Sequence, residues 1–230
     1  MSVSGGAAAL LILLPLAFNA AFALLAKIFD YPRILREPSA EVLARFRNGG
    51  SRLVLLWWAF AMTAVLFAPL AVLLSLALPG ADATLLTVGA TIGALAALVQ
   101  FLGLIRWPFL VPYLARAIDE PGASPARKEA IDIVFQSFNR YLGVAVGEHL
   151  GFLFTGAWSI LVGIAMTQSD ALHPAIGIAG IAIGAVLVLC SFEFVGPAER
   201  HGWKLAGRLT PITYIAWSLW LLTTGVSLLF

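Results

Sequence analysis

Six stretches of the chain, about 6–28, 53–78, 84–105, 143–167, 172–195 and 209–229, are almost wholly apolar. Each is close to the roughly 20 residues that a helix needs to cross bilayer hydrocarbon. In lipid a backbone N–H or C=O finds no partner outside its own segment, so each stretch is predicted to be helical. Polar positions gather between them. "REPSAEVLARFRNGG" and "GASPARKEAIDIVFQSFNR" carry apolar residues at helical spacing, Val42, Leu43 and Phe46 in one and Ile131, Val134, Phe135 and Phe138 in the other. Ser39 and Ser124 stand where N-caps belong, Pro125 suits a first helical position, and Asn48-Gly49-Gly50 ends the earlier segment. The expected fold is all-α: residues 1–230 form a single integral membrane domain, a polytopic transmembrane bundle of six helices. Short amphipathic helices on the cytoplasmic side lie on the inner leaflet or pack on the bundle.

Charge turns this list of spans into a threading. Only 11% of the residues are charged and 61% are hydrophobic, too few charges to cover a folded surface in water. Six of the fourteen Lys and Arg follow the first span (Lys27, Arg33, Arg36, Arg45, Arg47, Arg52). Five follow the third (Arg106, Arg116, Arg127, Lys128, Arg140), and three follow the fifth (Arg200, Lys204, Arg208). The alternate loops, "LPGADAT" and "TQSDALHP", hold none. The positive-inside rule then puts both termini outside and three basic loops in the cytoplasm. "MSVSGG" lacks the basic start of a signal peptide, so the first span is expected to be retained. Trp57, Trp58, Trp107, Trp203 and Tyr214 fall near the cytoplasmic span ends, where aromatic rings suit the headgroup level. Beyond Arg106, Pro108 and Pro112 are expected to kink the helix.

Against this apolar background, "NRYLGVAVGEHLG" places Glu148 and His149 about two turns inside the fourth span. A carboxylate at that depth is costly in lipid, so Glu148 is expected to face protein or water. On an α-helix His149 points about 100° away, which makes the two poor joint ligands. Similar depth suggests a polar pocket open to the cytoplasm, formed by Glu148, His149, Gln100, Arg106, Asn139, Arg140 and Glu193. The alternative is structural: buried polar groups also serve as interhelical hydrogen bonds, the favoured role for Asn19 and Gln100. Small residues mark close packing, with Gly143, Gly147 and Gly151 in the fourth span, Gly89 and Gly93 in the third, and Gly180 and Gly184 in the fifth. Together they suggest a tight central bundle of spans three to five. Thr213, Trp217, Trp220 and Thr224 read as a packing stripe, and Cys190, the lone cysteine, as an inert packing residue. Walker, GxGxxG, HExxH, CxxC and GxSxG motifs are absent, as is a basic stretch interleaved with aromatics, which argues against nucleic acid. No cofactor or metal is predicted; a metal held by Glu148, Glu193 and His201 is an alternative with no spacing motif behind it.

"FDYPRILREPSAEVLARFRNGGSRLVLLWWAFA" and "NRYLGVAVGEHLGFLFTGAW" resemble a group of bacterial integral membrane proteins known only through a domain of unknown function. The phrases "DYPRILREP" and "GEHLG" carry most of that likeness. The resemblance implies a multi-pass protein of the bacterial inner membrane and transfers no catalytic residue. Three functions stay open. The first is transporter-like binding of a small molecule or proton around Glu148. The second is a scaffold or regulatory subunit engaging anionic lipid or a cytoplasmic protein partner. The third, ranked last, is an intramembrane lipid-modifying enzyme.

Overall fold

A computed structural model describes residues 2–230. Among the described residues there are helices and turns and no strand. The long helices are α1 (Val3–Phe29), α2 (Ser39–Leu76), α3 (Ala83–Ala117), α4 (Pro125–Phe138), α5 (Gly151–Gln168), α6 (Pro174–Cys190) and α7 (Lys204–Ser227). Between α4 and α5 the chain never leaves helical backbone, but residues Asn139–Leu150 form a π-helix. Four helical runs, α1, α2, α3 and the continuous Pro125–Gln168, are long and apolar enough to cross a membrane. α6 is apolar but spans 17 residues. In α7, Thr, Ser and Trp dilute the apolar run.

Turns link the helical runs, and the packing closes them into a ring. α2 packs on α1 and α3, α5 on α3 and α6, and α7 on α6 and α1. Space for this closure comes partly from Gly225, where a Cβ would lie 2.8 Å from Leu11. The α2–α3 and α5–α6 turns lock together through Ser169 Oγ donating to Pro79 O (2.7 Å) and Asp82 N donating to Gln168 Oε1 (3.0 Å). That end of the ring carries no Lys or Arg, and the basic segments lie at the other.

Two apolar cores fill the two ends. At the non-basic end Trp158 is fully buried, its ring 4.7 Å from Phe67 and close to Trp217 and Trp220. Trp217 Nε1 donates to Ser159 Oγ (3.0 Å) and Trp220 Nε1 to Ile176 O (2.9 Å), while Thr213 and Thr224 are buried beside them. The Thr/Trp stripe is therefore packing. At the basic end Trp57 stacks on Trp107 (4.3 Å, 9°) against Phe29 and Phe46. This corrects the headgroup placement of both tryptophans: their rings are fully buried and fill the gap between α1, α2 and α3. Trp58 and Trp203 do remain exposed.

The amphipathic segments differ from expectation in detail. Residues 39–49 are the first turns of α2, which bends at Gly50 (φ 57°, ψ −156°), a backbone only glycine adopts freely. Val42, Leu43 and Phe46 are buried in the protein rather than in the leaflet. Ser39 is not a cap. It is the first helical residue, and its hydroxyl accepts from Gln136 Nε2 of α4 (2.7 Å). Ser124 does cap α4, accepting from Arg127 N (3.2 Å). α3 runs through Pro108 and Pro112 to Ala117. At about 1.5 Å per residue it is roughly 50 Å long, well beyond a hydrocarbon core of about 30 Å.

The expected central bundle of spans three to five holds where α5 packs on both α3 and α6, and is corrected only in that α6 does not pack on α3. Gly93 does admit Trp158 of α5, with a Cβ there 2.7 Å from its ring, whereas Gly89 would meet Leu161 at an ordinary 3.7 Å. Gly180, however, faces Trp220 of α7 (2.5 Å), and Gly184 faces Gly156 of α5 (2.5 Å). In a sequential ring α6 lies between α5 and α7 and has no face left for α3.

Candidate functional site

The π-helix carries the site. A π-helix closes i→i+5 hydrogen bonds and is rare beyond a single turn. Small residues fit it here, because Gly103 of α3 approaches backbone to backbone. A Cβ on Gly103 would lie 2.6 Å from Gly147 Cα and 3.0 Å from Leu142 O. One turn away, the Arg106 guanidinium fills the place that a Cβ on Gly143 would take, 2.6 Å from Nη2. Arg106 Nη2 donates to Asn139 Oδ1 (2.8 Å), Nη1 donates to Gly103 O, and the group lies 5.3 Å from the Trp107 ring. Gly151 makes room for the Gln100 stem, which a Cβ would meet at 3.0 Å.

Glu148, His149, Arg140 and Glu193 border one cleft of about 340 Å³ between the π-helix and the end of α6. Val144, Ala145, Phe152, Phe194 and Val195 supply its apolar walls. No ion pair or hydrogen bond reaches the Glu148 carboxylate among the described residues. Within its electrostatic reach lie Arg106, Glu193, Tyr31 and Tyr214. His149 Nδ1 lies 2.7 Å from Ser191 O. A carbonyl oxygen only accepts, so Nδ1 carries a proton and donates it to Ser191 O. Arg140 is committed elsewhere, to Glu199 Oε2 (2.8 Å) and Glu199 O. Glu193 lies in the turn after α6, not in a span, and its Oε1 would sit 2.7 Å from a Cβ on Gly207.

Three of the seven expected pocket residues, Gln100, Arg106 and Asn139, stand apart from the cleft's lining. Gln100 does not reach the cleft; it faces α5 and donates to Thr155 Oγ1 (3.0 Å), an interhelical bond. Asn139 is on the Arg106 side and does not line the cleft. Asn19 likewise bonds between helices, donating to Ser218 Oγ (2.9 Å). Conversely, Glu148 and His149 share the cleft although an α-helix would splay them about 100° apart; the wider π turn brings successive residues closer in angle. Sequence reasoning missed Tyr31 and Tyr214. Tyr214 is packed inside against Phe18, Phe152 and Trp217, not held at the headgroup level. Tyr31 follows α1 and packs against Trp57 and Phe22. Cys190 is buried yet borders the cleft. Among the described residues no three His, Cys, Asp or Glu side chains gather as a metal-holding group.

A ring of apolar helices with an acid set between them defines a membrane protein. Residues 7–225 match the family model described as Domain of unknown function (DUF4386), and the chain belongs to that family. No curated protein and no solved structure matches the chain.

Proposed function

We propose a six-pass protein of the bacterial inner membrane, both termini outside, that binds a small ligand or a proton at Glu148 in the manner of a transporter. Threading rests on all the Lys and Arg falling in alternate loops. The observation that carries the function is the Glu148 carboxylate, bordering a cleft with no ion pair or hydrogen bond of its own among the described residues. An ionisable group within a membrane segment is retained for what it binds or passes on. Such a group can take a proton or meet a ligand without first breaking an internal bond. The test is proton flux into proteoliposomes carrying a trapped pH dye. Wild type is expected to exceed protein-free vesicles, Glu148→Gln to fall to their level, and Glu148→Asp to keep part of the flux. Equal flux in wild type and Glu148→Gln overturns the transport reading.

A second reading, a scaffold on anionic lipid, has its own support. Among the described residues Lys27, Arg36, Arg52, Arg116, Lys128, Lys204 and Arg208 are exposed at the basic end without an acid within ion-pair distance. Such cations attract anionic headgroups, by about 1 kcal/mol each near the surface. Native mass spectrometry from mixed-lipid nanodiscs reads this directly. Retained anionic lipid that survives Glu148→Gln and is lost on neutralising Lys204 and Arg208 favours the scaffold.

A further inference from the structure

We infer that the cleft between the π-helix and α6 is a site for a primary ammonium group joined to an apolar body. The inference rests on the binding reading of Glu148 and names the chemistry of the ligand. Three observations point the same way. First, the ionisable groups on its wall are unequal. Glu148 and Glu193 both border it and neither forms an ion pair, while the one bordering cation, Arg140, is held by Glu199. The nearest other cations, Arg106 and Arg36, lie within electrostatic reach of these acids but line no part of the cleft and pair with neither. Second, His149 spends its Nδ1 proton on Ser191 O, so that N–H is not free to meet an anionic occupant of the cleft. Two acids without a partner of their own on one wall favour a cation that carries several N–H donors. Third, most of the remaining wall is apolar, Ser137, Tyr141 and Ser191 aside, and it includes Phe152 and Phe194. About 340 Å³ holds a small aromatic amine, at the lower end of ordinary ligand pockets. A metal ion would need ligands that converge, and among the described residues no three such side chains do; an anion would meet two acids.

The same chemistry has two sources, a free amphiphilic amine or the ethanolamine headgroup of a phospholipid. Calorimetric titration of the protein in phosphatidylcholine nanodiscs separates them. The probes are 2-phenylethylammonium, its N-trimethyl form, the neutral 2-phenylethanol and the anionic 3-phenylpropionate. The primary ammonium is expected to bind about tenfold or more tightly than each of the others. Glu148→Gln and Glu193→Gln should each weaken it by about tenfold, with the fluorescence melt unchanged. Repeating the titration with phosphatidylethanolamine in the disc assigns the source. Weakened binding names the lipid as the natural occupant, and unweakened binding names a free amine. Alcohol or carboxylate binding as well as the ammonium, with Glu148→Gln still weakening it, refutes the ammonium assignment and leaves a ligand site at Glu148. No binding by any probe also refutes the assignment. The proton reading then stands or falls on the flux measurement alone.

Discussion

Gly143→Ala is the sharpest perturbation of the site's scaffold. An added Cβ would lie 2.6 Å from Arg106 Nη2 and 3.0 Å from Cζ, so the guanidinium must move. Moving it gives up the bond to Asn139 Oδ1 (2.8 Å), a charge-assisted hydrogen bond of about 1.5–3 kcal/mol. Alanine returns about 1 kcal/mol of helix propensity. The balance is a loss of about 0.5–2 kcal/mol. Gly89→Ala is the control, because its Cβ would meet Leu161 and Val162 at 3.7 and 3.8 Å, ordinary contact, and the substitution keeps the propensity gain. Unfolding in detergent, followed by tryptophan fluorescence, should move in opposite directions for the two variants. A double-mutant cycle assigns the cause: in an Asn139→Ala background the bond is already gone, and Gly143→Ala should cost less by about the energy of that bond. Equal losses at Gly143 and Gly89, or a full loss at Gly143 without Asn139, would refute the placement of Arg106 against the π-helix.

Other expectations follow from single contacts. Glu148→Gln removes a charge that no ion pair holds while keeping shape, so its melt should be no lower than that of wild type. Trp217→Phe deletes the donor to Ser159 Oγ and should cost about 0.6–2 kcal/mol by the same unfolding assay. Gly50→Ala forces an L-residue to φ 57°, ψ −156° and should cost about 1–3 kcal/mol, weakening the bend that packs Val42 and Phe46.

Helix positions were legible in the sequence because they follow from hydropathy and caps alone: Ser124 and Pro125 open α4 as expected. The acid at 148 stood out for the same reason, as a charge where solvent forbids one. What escaped depends on which helix meets which. Trp57 and Trp107 read as headgroup aromatics until α1 and α3 close over them. Gln100 shares depth with Glu148, but its direction is set by where Thr155 falls on the facing helix. Tyr31 and Tyr214 lie far from Glu148 along the chain and reach it only through ring closure between α1 and α7. The π-helix leaves no periodic trace in apolar positions; small residues at 143, 147 and 151 allow it, and backbone contact with Gly103 accompanies it.

The central claim is an acid that borders a cleft near the basic end of the ring, the end proposed to face the cytoplasm. Ala145 borders that cleft and is exposed. In a Cys190→Ser background, Ala145→Cys in sealed vesicles of known orientation can be challenged with a membrane-impermeant cationic methanethiosulfonate. Labelling from the cytoplasmic face, slowed by 2-phenylethylammonium, is the predicted result. No reaction from that face, or reaction from the opposite face only, contradicts both the threading and the cleft.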